Sequence, residues 1–460
     1  MGPPLVYNGI EAYYPGTLSL EQVQILFRHG ERTPVHRSIQ QWSKWGFPIF
    51  WPLCASSQST RTLAVDPDLS HVFTMGYERE IETLTEEDPS PLFTNAGKKG
   101  VCLEGQLTDK GRISANQLGK QIRELYIDRL AFLPSFYNVP SDIYMRTTSI
   151  QRSRETLLQL ITGLYPGPSL QTLPKILERF PFEENLYPMA GNCARIRELR
   201  KQFVEASAKY WDPKLEEPSE VFKQILSGSD KKIAVGGGGE TDSAWAIIDT
   251  YASAVSHNIT TPAAFENRDA VNLVGRAALD SEFIGFDKNQ EMKRLGMGRF
   301  LGEVLHRMTV GDPIIAGNKE EATKLLGKEF KTANKIPLLA LYAAHDSSIG
   351  ALLATMGVFD NRWINFTTHI TFELFKEKVE SNKWLAGKPS QFVRVKYNGK
   401  PMSLPACQAA GQHYGEDKSL CTMAAFKSFV NSVAPHNWGS ECTTNLGKSA
   451  PELGEVEHRI

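Results

Sequence analysis

Three times in this chain a short apolar run with strand character stops abruptly on charged residues. QVQILF (22–27) meets Arg28-His29-Gly30-Glu31-Arg32, DIYM (142–145) meets Arg146, and LLALYAA (338–344) meets His345-Asp346. Helical patterns follow the second and third runs at once. Strands that alternate with helices pack as a mostly parallel sheet covered on both faces, and such sheets bind ligands beyond the carboxyl ends of their strands. The pattern predicts an α/β fold, with a mostly parallel central sheet, helices on both faces, and the three polar clusters meeting at one edge.

The 460 residues exceed what one compact core usually holds, so an insertion or a second lobe is expected. Between about 186 and 326 the periodicity is helical, over 194–210, 219–227, 242–257 and 290–309, without a convincing strand. We expect an α/β core built from 1–185 and 327–460, and an inserted all-helical cap over 186–326. Within the core, 105–130 reads as a helix with Thr108 as N-cap and Ile113, Leu118, Ile122 and Leu125 as its apolar stripe. ITFELF (370–375) and FVRVKYNG (392–399) alternate as strands, the second closing on an Asn-Gly turn. The tail after 405 reads as loops and a short helix, and 40–100 as a long irregular excursion.

A formal net charge of −1 offers no global field for nucleic acid or an anionic membrane, so positive potential has to be local. No apolar run approaches the roughly 20 residues of a membrane span. Residues 1–27 contain neither Lys nor Arg, unlike a secretory signal or a mitochondrial presequence. The expectation is a cytoplasmic protein, with a mitochondrial or secretory address open through a signal not recognisable here. Six cysteines and two sequons, Asn258-Ile-Thr and Asn365-Phe-Thr, pull the other way. No CxxC pair suggests zinc. Mostly free thiols are expected, with Cys407–Cys421 the pair to form if any does.

The chemistry follows from what would gather at the sheet edge: Arg28, Arg32, Arg146, His29, His345 and Asp346. Converging guanidinium forks suit phosphate oxygens. They also repel a proton from a neighbouring imidazole, leaving its lone pair free at acidic pH. His29 is the candidate nucleophile, Asp346 the candidate proton donor, and Arg28, Arg32, Arg146 and His345 the candidate phosphate ligands. This scheme calls for no metal and no cofactor. The expected partner is a small phosphomonoester; the substrate and the oligomeric state stay open.

Arg28-His29-Gly30-Glu31-Arg32-Thr33-Pro34 resembles the RHGxRxP signature of the histidine acid phosphatases, and Ala344-His345-Asp346-Ser347-Ser348 resembles their HD motif. Arg146-Thr147-Thr148 resembles a segment that carries a third phosphate-binding arginine, with Arg152 behind it as a neighbour bracing the site. Gly105-Gln106-Leu107-Thr108, Gly111 and Gln117-Leu118-Gly119 are similar as well. The resemblance implies a phosphomonoesterase active at acidic pH, with an α/β core and a helical insertion over the site. Ser347-Ser348 stands where the phytase branch reads Thr-Asn, which leans toward a general or lipid-type acid phosphatase, including the lysophosphatidic acid phosphatase branch.

Two other functions stay open at this point. Phosphoglycerate mutases share the Arg-His-Gly-Glu opening, but resemble this chain poorly beyond it. A silent binder of phosphorylated ligands would be expected to lack His29 or Asp346. His36 reads as a rim or structural residue, Gly236–Gly239 as a loop rather than a phosphate loop, and Trp42, Trp45 and Trp51 as buried rather than lining an entrance.

Overall fold

The structure is a computed structural model and describes residues 14–35, 45–48, 50–65, 72–79, 100–188, 191–226, 231–236, 241–309, 336–378 and 390–451. His36, Trp42 and residues 237–240 lie outside these. Among the described residues the chain builds a nine-stranded sheet. Its main strands are β1 (Leu18–Arg28), β2 (Ile143–Thr147), β3 (Ile176–Glu178), β4 (Leu339–Ala344), β5 (His369–Glu377), β6 (Gln391–Tyr397), β7 (His413–Tyr414) and β8 (Asp417–Thr422). They lie in the order β7-β8-β6-β5-β1-β4-β2-β3, with Lys400–Pro401 paired to β6.

The sheet is mixed, not mostly parallel. β1, β4, β2 and β3 run parallel, whereas β5 runs antiparallel to β1, β6 to β5 and β8 to β6. A parallel neighbour needs a crossover, usually a helix, to carry the chain back. Among the described residues the stretch from β5 to β8 has a single 3-10 turn, Pro405–Cys407, and no crossover helix, and its strands return antiparallel. Asn398 and Gly399, both at positive φ (48° and 79°), make the tight reversal after β6. The tail read as loops and a short helix therefore adds two strands, while the expected helix forms as α8 (Met423–Val433).

Alternation along β1 explains how both faces are covered. Val23, Ile25 and Phe27 face α1 (Asp109–Arg123) and α2 (Gln151–Leu164), in one cluster with Leu118, Leu157 and Leu160. Leu26 faces the other way, in a cluster with Phe300 and Val304 of α6 (Arg299–Thr309) and Ile349 and Leu352 of α7 (Asp346–Thr355). Gln22 and Gln24 are also buried, and donate to the carbonyls of Arg307 and Val304 at 3.1 and 2.8 Å. A buried amide is tolerated because it is bonded.

Thr108 caps α1, its Oγ1 accepting from the Gly111 N–H. The stripe differs from the expected one: Ile113 is 59% exposed, and Gly119 lies on the packed face instead. A Cβ on Gly119 would sit 2.0 Å from the Leu160 carbonyl oxygen, and one on Gly163 at 2.0 Å from that of Asn116. The two helices touch backbone to backbone, which only glycine allows at those positions.

Three further helices, α3 (Ala194–Trp211), α4 (Ala244–Ser256) and α5 (Arg268–Lys288), dominate the stretch after β3. Trp45, Trp51, Trp211, Phe222, Ile247 and Val274 form a core of their own there, so Trp45 and Trp51 are buried as expected. Two short parallel strands, Lys232–Ala234 and Thr241–Ser243, also occur where no strand was expected.

All six cysteines are paired: Cys54–Cys102, Cys193–Cys442 and Cys407–Cys421. This corrects the expectation of mostly free thiols. Cys407–Cys421, 14 positions apart, is the pair expected to form if any did, whereas the partners of the other two lie 48 and 249 positions apart and meet only in the fold. Denatured without reductant, the protein should release no thiol to a chromogenic disulfide reagent; two or more thiols per chain would contradict the pairing. Replacing Cys193 and Cys442 by Ser should lower stability by about 2–4 kcal/mol in denaturant unfolding.

Candidate active site

Register sets the site. In the parallel trio Arg28 pairs with Ala344, and Ala343 with Thr147, so three strands end at one level. The His29 N–H donates to the Ala344 carbonyl at 3.1 Å, carrying the ladder one residue past β1. His29, His345 and Asp346 thereby meet at the edge, with the two imidazole centroids 5.5 Å apart. Gly30 lies against α1: a Cβ there would come within 2.3 Å of the Gly111 carbonyl oxygen. The Gly30 N–H donates to Thr156 Oγ1 of α2 at 3.0 Å, which fixes the loop from the other side.

His29 is 1% exposed. Its Nδ1 lies 2.9 Å from the Gly30 carbonyl oxygen. A carbonyl can only accept, so Nδ1 carries the proton and Nε2 presents the lone pair. Burial holds the imidazole well below its ordinary pKa of 6.5, and Arg152, Arg32 and Arg28 push it further down. His345 is likewise depressed, to about 3, by burial and then by Arg152. It stacks on Tyr187 at 5.3 Å, with Nε2 3.0 Å from Thr148 Oγ1.

The arginines are held in different ways. Arg28 Nη2 lies 2.5 Å from Asp346 Oδ2, Nη1 donates to the Ile364 carbonyl, and the guanidinium sits 4.1 Å over the Phe366 ring. Arg32 forms a two-pronged bond with Asp249 of α4, at 3.1 and 2.8 Å. Asp346 opens α7, where the helix dipole favours an anion. Burial pushes its carboxyl up, but Arg28 and Arg32 outweigh that and hold it at about 2.

Arg146 lies elsewhere. β2 runs on to Thr147, so Arg146 is inside the sheet beside Tyr342, on the face covered by α6. There it is fully buried and bonded to Glu184 (3.1 Å), Asn185 (2.9 Å) and Glu303 of α6 (3.1 Å). Arg179 and Arg307 share Glu303, whose carboxyl they and Arg146 hold well below its ordinary value against the upward push of burial. The position facing His29 is taken by Arg152, in the first turn of α2. Its guanidinium makes no ion pair or hydrogen bond among the described residues, and its Nε is buried without a partner. Burial and Arg32 lower its pKa to about 10.

The site thus brings together His29, Arg28, Arg32, His345 and Asp346 from the sequence reading, with Arg152 in place of Arg146. Asp249 was missed: it lies 217 positions from Arg32, and nothing in AWAIIDTY marks its aspartate. Arg152, bonded to no carboxylate among the described residues, stands near a neutral imidazole with a free lone pair, an arrangement that suits an anion. A cleft of about 770 Å³ opens beside Arg28 and Phe366, walled by α4, α5 and residues 360–366.

The chain matches the family model described as histidine phosphatase superfamily (branch 2) over residues 19–398. It is 28% identical to a protein described as a probable acid phosphatase of Schizosaccharomyces pombe, over 93% of this chain and 95% of that one. It is 24% identical to the lysophosphatidic acid phosphatase type 6 of Mus musculus, over 97% and 93%. In structure it resembles the Hafnia alvei phytase, with a TM-score of 0.56 at 14% identity, covering 93% of this chain and 99% of that one.

The two arginines of DIYMRTTSIQR separate by stability. Arg146→Met leaves Glu184 and Glu303 short of a buried partner and should cost about 3–5 kcal/mol in denaturant unfolding. Arg152→Met removes a half-buried cation that has no partner, and should cost little or nothing. Equal losses would show that the two play the same structural part.

Proposed function

From the premise that the chain belongs to the histidine phosphatase superfamily (branch 2), we propose that it is an acid phosphatase that hydrolyses phosphate monoesters through a phosphohistidine on His29. The observation that carries this is the 2.9 Å contact from His29 Nδ1 to its own Gly30 carbonyl, which leaves Nε2 unprotonated and surrounded by guanidiniums. The phosphate dwells among Arg28, Arg32 and Arg152, and His345 donates a hydrogen bond to one of its oxygens. His29 Nε2 attacks phosphorus, the ester P–O bond breaks, and Asp346 gives its proton to the leaving oxygen. Water then attacks phosphorus, Asp346 takes back a proton, and the P–N bond breaks to release phosphate.

An aspartate held at about 2 is ionised in the free protein, so it needs a reason to carry a proton. The incoming phosphate supplies one. It draws Arg28 and Arg32 toward its own oxygens and sets negative charge beside the carboxyl, both of which raise the pKa of Asp346. Substrate entering as a monoanion brings the proton itself.

Intact His29 and Asp346 speak against a silent phosphate binder, and nothing favours mutase chemistry. We read 186–326 as an inserted helical cap over the site, since α4 from this stretch supplies Asp249 to Arg32. Three disulfides suit an oxidising compartment better than the cytosol.

His29→Ala should abolish hydrolysis and acid-labile labelling of the protein by radioactive substrate; residual turnover of a few per cent or more would refute the nucleophile. Asp346→Asn should slow alkyl phosphates far more than p-nitrophenyl phosphate, whose leaving group needs no proton. The acid limb of kcat/KM should lie below pH 6.5. Arg152→Met removes positive charge, raises the pKa of His29 and should move that limb upward by on the order of one pH unit. An unmoved limb would detach Arg152 from the nucleophile.

A further inference from the structure

One residue of the opening motif is left without a task. Glu31, two positions after His29, is 4% exposed and lines the cleft beside Arg28. Its Oε2 is buried with no hydrogen-bond partner, and among the described residues the carboxylate forms no ion pair. Its backbone is nonetheless rigidly held: the carbonyl accepts from the Thr108 N–H at 3.0 Å, and a Cβ on Gly111 would sit 2.2 Å from it. A buried carboxylate without a donor is costly, and native structures seldom keep one without a use.

Building on the phosphatase reading, we propose that Glu31 selects substrates, accepting a hydrogen bond from a hydroxyl on the leaving group close to the phosphate ester. We place that leaving group in the cleft beside Arg28, where no lining side chain is bonded to the carboxylate among the described residues. Its charged lining decides what kind of donor fits. Arg28, Lys110, Arg276 and Arg362 outnumber Glu31 and Asp360, so an ammonium would be repelled where a neutral hydroxyl is not. The preferred substrates are therefore phosphomonoesters of polyols, over simple alkyl phosphates of the same length and over amino-alcohol phosphates.

The test compares glycerol 1-phosphate with propyl phosphate, which shares the carbon chain and lacks both free hydroxyls. In the wild type kcat/KM should favour glycerol 1-phosphate by about 10- to 100-fold, the range of a hydrogen bond to a charged acceptor. Glu31→Leu should bring that ratio close to one, and Glu31→Gln, which keeps an acceptor oxygen, should retain part of it. Thermal melting of both variants should be no lower than wild type, since the lost carboxylate had no partner to lose. A wild-type ratio near one, or a ratio unchanged in Glu31→Leu and Glu31→Gln, overturns the assignment while leaving the phosphatase intact. A preference for phosphoethanolamine over ethyl phosphate overturns the hydroxyl in favour of a cation. Melting several degrees lower in both variants shows a structural carboxylate and overturns it too. Hydrolysis of none of these esters overturns the phosphatase reading along with it.

Discussion

The parallel register of β1, β4 and β2 is the constraint on which the site rests. Pairing Arg28 with Ala344 and Ala343 with Thr147 ends three strands at a common level. A slip of one residue would turn every side chain to the opposite face. His29 would leave the edge, and Gln22 and Gln24 would lose the α6 carbonyls that satisfy them. The glycines at 30 and 111 belong to the same constraint, since the loop after β1 can lie where it does only if neither position carries a Cβ.

Buried arginines in this protein do two kinds of work, told apart by their partners. Around Glu303, three guanidiniums and two carboxylates interlock with Asn185 and join β2 to α6. Around His29, Arg32 is aimed by Asp249 and Arg28 by Asp346, while Arg152 pairs with no carboxylate among the described residues. In the first cluster every guanidinium is bonded to a carboxylate. In the second Arg152 keeps its donors open, which disfavours a proton on His29 and favours a phosphate in front of it.

What was legible in the sequence follows from this. Arg28, His29, Arg32, His345 and Asp346 sit at or just beyond strand ends, where an apolar run halting on charge shows in one dimension. Arg146 misled because β2 continues two residues beyond its apolar letters, to Thr147, which keeps the side chain inside the sheet on the α6 face. Arg152 reads from the sequence as a neighbour bracing the site, and its place in the first turn of α2 puts its charge on His29 instead. α5 escaped notice because its buried positions, from Val271 and Val274 to Phe283 and Phe286, serve two separate cores and blur into no single stripe. Strand direction after β5 and the Cys54–Cys102 and Cys193–Cys442 pairings have no local signature, since they are decided by which distant segments meet.

The order of β1, β4 and β2 across the sheet differs from their order along the chain, and this bears on biosynthesis. β4 lies between β1 and β2 but is translated nearly two hundred residues after the second of them. Until Leu339–Ala344 leaves the ribosome, the nascent chain holds two strands with open edges and nothing to pair between them. The central seam can close only after the intervening helices have been made. Chaperone dependence should therefore peak during that interval.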